Sequence, residues 1–254
     1  MLTRLITGLI LAPLVLWLCV SGPPWAVAAA LLLAVLLCAL ELYRMVLPDR
    51  RLETACGVAL IGLGLVVYRF FPEHQVVVAA ALLVLPACVV LARPKPIEEA
   101  ALRMLGLWGG IVYIGVAGAF LLEAGREPGH LVLAFALVWF GDTGAYFVGK
   151  AIGRHHLYPL VSPNKTWEGA AGGLVGSVAG AFAVRWWLLP DLDPTICVIV
   201  ALFGGAVGQL GDLAESALKR ATGVKDSGSI LPGHGGMLDR LDGLLLAAPV
   251  VVLF

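Results

Sequence analysis

Nine long apolar runs divide this 254-residue chain, and they constrain its fold more than any other feature. A helix that crosses a membrane needs about 20 predominantly apolar residues, within a range of roughly 17–25. Mean hydropathy is +0.96 and only 13% of the residues are charged, values typical of membrane proteins. The sequence therefore predicts an all-α, polytopic integral membrane protein. The nine predicted spans are residues 5–20, 25–43, 55–71, 76–92, 101–122, 131–149, 169–189, 195–215 and 237–254.

The positions of the basic residues predict how the chain is oriented. The 17 basic and 17 acidic residues balance to zero, so bulk charge predicts no nucleic-acid partner. Segments on the cytoplasmic side of a membrane carry an excess of Lys and Arg. With the N-terminus inside, only Arg69, Arg126 and Arg185 fall outside, which leaves 14 of the 17 basic residues inside. The pattern predicts a cytoplasmic N-terminus and an external C-terminus.

The first run follows Arg4 and could also be a cleaved signal peptide. Bulky Trp17 and Leu18 crowd the region where cleavage would occur, and Pro23 and Pro24 follow directly. These residues favour a retained first helix that forms a hairpin with the second run.

Residues 211–243 form the most highly charged segment, and apolar runs lie on both sides of it. Charges at the edge of a membrane are costly, so a functional site is the default hypothesis. Asp212, Glu215, Ser216 and Lys219 have the spacing of one helix face. The acids of the segment are Asp212, Glu215, Asp226, Asp239 and Asp242, and its bases are Lys219, Arg220, Lys225 and Arg240.

The centre of this segment is a glycine-rich connection that also contains Pro232 and His234. Glycine backbone turns tightly and can approach a ligand closely. Carboxylates on two helix ends, together with basic side chains, are typical of a site for phosphates and Mg²⁺, which is usually held by one or two carboxylates and substrate phosphates. The alternative is a solvated cytoplasmic loop, but such a loop needs neither helical register nor this glycine density.

Two further motifs lie upstream. Asp142 falls inside an apolar run, and Tyr146 and Lys150 follow on the same helix face. A lone intramembrane aspartate must be paired, hydrated or protonated, and the alternative to a functional role is a structural ion pair with a neighbouring helix.

The second motif is SPNKTWEG, residues 162–169. Lys165 offers a point charge for a phosphate, and Ser162 and Thr166 offer hydroxyls near a helix start, where amides favour anions. Glu168 could instead cap that helix, and Trp167 is interpreted as an interface anchor.

The chain is predicted to be a single membrane domain, with residues 1–124 as scaffold helices and residues 125–254 as the helices that carry the catalytic motifs. In the scaffold half, Glu41 and Tyr43 end the second run and are interpreted as interface anchors.

The segment SALKRATGVKDSGSILPGHGGMLDRLD, residues 216–242, resembles the signature of the phosphatidate cytidylyltransferases, or CDP-diacylglycerol synthases. The motifs at residues 139–150 and 162–169 resemble the same family, so the resemblance covers the C-terminal half most specifically. It implies transfer of a cytidylyl group from CTP to phosphatidic acid, with release of pyrophosphate. It also implies Mg²⁺, with or without a second, monovalent cation, and a homodimer. We further expect a bacterial inner membrane protein, surrounded by membrane lipids, whose site faces the cytoplasm.

Roles for individual residues are hypotheses within that reaction. Asp212 and Asp239 would hold the metal, with Glu215 and Asp242 nearby. Ser216 would ligate the metal or a phosphate, and His234 would be a general base or a loop fastener. The bases that would neutralise phosphates are Lys219, Arg220, Lys225 and Arg240, and Asp226 belongs to the same catalytic set. The nucleotide pocket would be completed by Asp142, Lys150, Ser162, Lys165 and Thr166.

Two other functions fit parts of the pattern. A polyprenol or phytol kinase would transfer the terminal phosphoryl group of CTP to an alcohol, and would need a base to deprotonate that alcohol. A transporter would also place charges in the membrane, but these charges cluster at one face and no pair of interrupted helices recurs in two halves.

Overall fold

The computed structural model describes residues 2–230 and 235–254, and most of them are helical. Six of the described helical stretches are long and apolar enough to cross a membrane, which makes the chain a multi-pass membrane protein. These are Pro24–Val46, Arg51–Phe70, Pro72–Leu91, Ile97–Ala124, Pro128–Ile152 and Pro194–Ala221. Each of the nine predicted runs is helical, whereas the count of nine crossings and their orientation stay predictions.

The helices are numbered in chain order. They are α1 (Leu2–Ser21), α2 (Pro24–Val46), α3 (Arg51–Phe70), α4 (Gln75–Leu91), α5 (Ile97–Gly110), α6 (Ala117–Ala124), α7 (Pro128–Ile152), α8 (Trp167–Trp187), α9 (Pro194–Ala221) and α10 (Leu238–Leu253). A short 3₁₀ turn, Pro72–His74, precedes α4, and a π-helical turn, Ile111–Val116, joins α5 to α6.

The prediction of an all-α fold is wrong in one place. Strands β1 (His156–Tyr158) and β2 (Ser162–Thr166) form an antiparallel hairpin, in which His156 pairs with Thr166 and Tyr158 with Ser162. Pairing the two strands satisfies backbone groups that a polar connection would otherwise leave to solvent. The SPNKT residues therefore lie on a strand that leads directly into α8.

The capping residues explain where the helices near the motifs begin. Asp193 accepts hydrogen bonds from the amides of Ile196 and Thr195 at 3.2 and 2.7 Å, which lowers the pKa of its carboxyl, and Pro194 occupies the first turn of α9. Thr166 caps α8, since its hydroxyl accepts from the amide of Gly169 at 3.1 Å. Helix α9 runs to Ala221, beyond the predicted end at residue 215, and so carries Lys219 and Arg220 on a helix.

Glycines bring α7, α8, α9 and α10 into close contact. A Cβ atom on Gly144 of α7 would overlap the carbonyl oxygen of Gly172 in α8, and one on Gly211 of α9 would lie 2.5 Å from the carbonyl oxygen of Asp242 in α10. Small residues let helix backbones approach closely in a membrane. This packing places the C-terminal ends of α7 and α9 beside the N-terminal ends of α8 and α10.

The first half of the chain has its own buried polar contacts. Arg103 forms a buried ion pair with Glu53 and donates to the carbonyl oxygen of Arg93 at 2.8 Å. The hydroxyl of buried Tyr43 donates to the carbonyl oxygen of Leu107 at 2.9 Å. Tyr43 therefore joins α2 to α5 inside the protein, and its interpretation as an interface anchor is wrong.

Candidate active site

A cavity of about 520 Å³ lies where α7, β2, α8 and α9 meet. It brings together predicted residues from three separate segments of the chain. Those in its wall are Asp142, Lys150, Lys165, Thr166 and Asp212. Tyr146 is also in the wall, one helical turn from Asp142 and with the Lys150 ammonium 5.6 Å from its ring centre, as the shared helix face predicts.

An ion pair connects the SPNKT strand to α9. The Lys165 ammonium lies 2.5 Å from a carboxylate oxygen of Asp212, and the Ser216 hydroxyl donates to the other oxygen at 3.3 Å. The Lys165 and Asp212 side chains are 27% and 38% exposed, so both remain accessible from the cavity. Two motifs that are about 50 residues apart in sequence thus share one polar contact.

A second cluster is centred on Lys219. Its ammonium lies 2.5 Å from Glu215 and 2.7 Å from Asp239, so one cation joins α9 to the first turn of α10. Glu215 is only 1% exposed, and neither of its carboxylate oxygens has a hydrogen bond of good geometry to another described residue. Beyond its ion pair with Lys219, this buried carboxylate therefore has capacity left to bind a further cation.

Asp212 and two further carboxylates lie close enough to influence one another. The charges of Asp142, Asp212 and Asp242 repel, and Lys165 and Arg240 offset part of the repulsion at Asp142. Three carboxylates therefore meet where α7, α9 and α10 approach, beside the lysines that face the cavity.

Asp239 also shapes the glycine-rich connection. One carboxylate oxygen accepts from the amides of Ser227 and Gly236 at 3.0 and 2.8 Å, on either side of the undescribed residues 231–234. Gly235 has φ +80°, a left-handed conformation that favours glycine. The glycines here thus allow two backbone amides to meet one carboxylate.

Glu41 is a site residue that sequence reasoning missed, and its interpretation as an interface anchor is wrong. It is 2% exposed and accepts from the Met237 amide at 3.0 Å, the Leu238 amide at 2.8 Å and the Ser227 hydroxyl at 3.0 Å. The sequence did contain a signal, since Glu41 is a carboxylate within a predicted span.

Tyr113 is a second residue near the site that the sequence did not predict. It lies in the π-helical turn, and its buried hydroxyl has no hydrogen-bond partner among the described residues. Asp242 and Glu215 lie close enough for their carboxylates to interact electrostatically with this hydroxyl. π-Helical turns often occur at functional sites, although the sequence gives no period that would predict one here.

The remaining predicted residues lie around these clusters. Arg220 donates to the carbonyl oxygen of Val161 at 3.4 Å and so ties α9 to the hairpin. Ser162 begins β2, and Arg240 is exposed on the first turn of α10. Lys225 and Asp226 are exposed in the connection, and His234 lies outside the described residues.

Glu168 holds the hairpin against α8. Its carboxylate lies 2.6 Å from the His155 ring nitrogen Nδ1 and accepts from the amides of Arg154 and His155, both at 3.2 Å. The hydrogen bond from His155 and these amides lower the pKa of Glu168 to about 2. Because this pKa is depressed, the stabilisation is complete above the ordinary value of 4.5 and is lost only as pH falls towards 2.

The cytidylyltransferase family matches residues 2–254. The chain belongs to that family. A phosphatidate cytidylyltransferase of Bacillus subtilis (strain 168) is 36% identical over 265 aligned positions, covering 97% of this chain and 94% of the relative.

Staphylococcal relatives of the same name are more similar over a shorter stretch. Those of Staphylococcus aureus (strain COL) and Staphylococcus saprophyticus are 46% and 44% identical over 142 residues. These alignments cover 56% of this chain and 55% of each relative, so the chain spans about half the length of these relatives.

The carboxylates of the site offer oxygen ligands of the kind that Mg²⁺ prefers. Among the residues that the structure describes, no group of three or more His, Cys, Asp and Glu could hold a metal ion. Mg²⁺ commonly takes only one or two carboxylates and completes its shell with phosphates and water. The buried, incompletely bonded Glu215, one turn from Asp212, fits such a site.

Proposed function

We propose that this protein transfers a cytidylyl group from CTP to phosphatidic acid, forming CDP-diacylglycerol and pyrophosphate for phospholipid synthesis. The observation that carries the proposal is the cavity in which Lys150, Lys165 and Asp212 converge, in a chain of the cytidylyltransferase family. An anionic oxygen of phosphatidic acid forms a bond to the α-phosphorus of CTP, and the bond between that phosphorus and the bridging oxygen of pyrophosphate breaks. The attacking oxygen is already ionised, so the reaction needs alignment and charge neutralisation more than a protein nucleophile.

Basic side chains inside and outside the cavity would divide this work. Lys165, 27% exposed, and exposed Lys150 face the 520 Å³ cavity and would bind the nucleotide phosphates. Lys219 sits deeper, between two carboxylates, and orients Asp239. Exposed Arg240 and Lys225 would neutralise the lipid phosphate and the departing pyrophosphate.

Mg²⁺ would be held by one or two of the predicted carboxylates Asp212, Glu215 and Asp239, together with the CTP phosphates. When bound, the ion would neutralise charge on the CTP phosphates. Support comes from the buried Glu215 carboxylate, and from Asp212, whose side chain is 38% exposed beside Lys165. A monovalent second cation stays a prediction that activity measurements at varied K⁺ concentration would test.

The lipid chain has a candidate position on the other side of α7. A cavity of about 380 Å³ lies between α1, α2, α7 and α10, with Arg240 as the charged residue in an otherwise apolar wall. An apolar cavity with one cation suits the acyl chain of a lipid whose phosphate lies at the arginine.

Filling this cavity with Ala34→Trp should raise the KM for phosphatidic acid and leave the KM for CTP unchanged. Equal changes in the two KM values would contradict this position of the lipid.

The orientation is proposed from the charge pattern. Nine crossings with a cytoplasmic N-terminus would place the site in the cytoplasm, at a bacterial inner membrane. Single cysteines in a cysteine-free background should react with an impermeant maleimide in intact spheroplasts at position 126 and not at position 225. The reverse pattern would contradict the orientation.

A homodimer is proposed from the family resemblance alone, and light scattering of the purified protein would test it.

The reaction is tested with purified protein, phosphatidic acid, Mg²⁺ and CTP labelled at the α- or the γ-phosphate. We expect the α-label in lipid and the γ-label in pyrophosphate. A polyprenol or phytol kinase would instead transfer the γ-label to an alcohol lipid and leave the α-label in CDP. No label in any lipid would favour the transporter alternative.

A further inference from the structure

We infer that Glu41 is a positioning residue for the transfer reaction, acting from the N-terminal half through the connection between α9 and α10. This inference rests on the proposed function, because it assigns Glu41 to the site where cytidylyl transfer would occur. Glu41 touches neither the 520 Å³ cavity nor the lysines in its wall. Its action would pass through the backbone that carries Asp239.

The contacts show how Glu41 holds this backbone. Its two carboxylate oxygens accept three hydrogen bonds of 2.8–3.0 Å, from the Ser227 hydroxyl and the Met237 and Leu238 amides. The amides belong to the start of α10, where unpaired N–H groups and the helix dipole favour an acceptor with negative charge. Glu41 therefore caps α10 from a helix that is nearly 200 residues away in sequence.

Ser227 links Glu41 to Asp239. Its hydroxyl donates to Glu41 and accepts from the Asp239 amide at 3.2 Å, while its own amide donates to the Asp239 carboxylate at 3.0 Å. Asp239 in turn lies 2.7 Å from the Lys219 ammonium. A continuous set of hydrogen bonds thus runs from Glu41 to the cation at the centre of the second cluster.

Close packing limits any substitute for Glu41. A Cβ atom on Gly228 or Gly236 would overlap its carboxylate oxygens, so the connection passes directly against the side chain. In Glu41→Gln, the amide NH₂ would face a backbone N–H in either orientation, because both oxygens accept from backbone amides. We therefore expect Gln to replace Glu poorly, although the two have almost the same shape.

Glu53 provides the matched control. It is also a buried glutamate of the N-terminal half, 5% exposed, but its partner is Arg103 and not the connection. Glu41→Gln and Glu53→Gln should both lower the thermal midpoint of the protein in detergent. Only Glu41→Gln should lower kcat, by tenfold or more when both are assayed well below their midpoints.

Hydrogen exchange separates failure of this inference from failure of the proposed function, because it does not need activity. Glu41→Gln should speed amide exchange at Ser227, Met237 and Leu238, and Glu53→Gln should not. Ser227→Ala, which removes one donor to Glu41 but no charged group, should reproduce part of both effects and serves if Glu41→Gln fails to fold. Unchanged kcat in a folded Glu41→Gln or Ser227→Ala variant, or unchanged exchange at these amides, would overturn the inference. If the wild type transfers no cytidylyl group while Glu41→Gln speeds amide exchange as expected, the proposed function fails. The role of Glu41 in holding the connection through its hydrogen bonds would then still be supported.

Discussion

At the scale of single residues, two lysines of the site have different surroundings and should respond differently to mutation. Lys165 forms a partly exposed pair with Asp212, whereas Lys219 is 13% exposed between a fully buried and a mostly buried carboxylate. Exposed ion pairs contribute little to stability, while removal of one partner of a buried pair leaves a charge without compensation. We therefore propose that Lys165 binds the nucleotide and that Lys219 stabilises the fold.

Lys165→Met should weaken nucleotide binding with little loss of stability. The pair with Asp212 contributes at most about 1 kcal/mol to the free energy of unfolding, because both side chains are partly exposed. A lost hydrogen bond to a charged phosphate corresponds to at least a roughly tenfold rise in the KM for CTP. Steady-state kinetics and thermal unfolding of the same preparation check both values. A large drop in the thermal midpoint with an unchanged KM would show that Lys165 is structural.

Lys219→Met should destabilise the fold by about 3–5 kcal/mol, because Glu215 and Asp239 would face each other without a cation. Denaturant unfolding in mild detergent measures the loss. The control is Lys225→Met, an exposed lysine of the same segment, which should change the free energy of unfolding by less than about 0.5 kcal/mol. Equal effects of the two substitutions would contradict the central position of Lys219.

At the scale of elements, the glycine contacts between α7 and α8 set the shape of the cavity. Lys165 lies on β2, which leads into α8, and Asp142 lies on α7. The width of the cavity between them therefore depends on how closely α7 and α8 pack. A methyl group at the contact would force the helix axes apart.

Gly144→Ala tests this contact, because its Cβ atom would overlap the carbonyl oxygen of Gly172. We expect a loss of about 1–3 kcal/mol in the free energy of unfolding and a higher KM for CTP. Gly109→Ala is the control, since nothing lies within 4 Å of its Cβ position in α5, and it should be neutral or stabilising by about 0.5–1 kcal/mol. The same loss in both variants would contradict the contact between Gly144 and Gly172 as the cause of the effect.

The elements also show what the sequence could and could not predict. Apolar runs and helical spacing correctly placed Asp212, Glu215, Ser216 and Lys219 on one helix, because both signals are local. The β-hairpin, the π-helical turn and the partners of Lys165 and Lys219 depend on which helices pack together, and no local pattern encodes that. Glu41 was misjudged for this reason, since its donors lie nearly 200 residues away.

At the scale of the whole molecule, the C-terminal helices carry the cavity, and the N-terminal helices hold its connection through α2. Helices α7 to α10 bring the three motifs together. The first half of the chain contacts α10 through Glu41, and α1 and α2 line the 380 Å³ cavity together with α10. These positions predict that a nucleotide binds in the 520 Å³ cavity, whichever product is formed.

The most direct test of that claim is photolabelling of the purified protein with a photoreactive CTP analogue, followed by mapping of the labelled peptides. We expect label in residues 142–170 and 209–220, competed by unlabelled CTP and reduced in Lys165→Met. Label confined to residues 1–124, or label that CTP does not displace, would contradict the assignment of the nucleotide site.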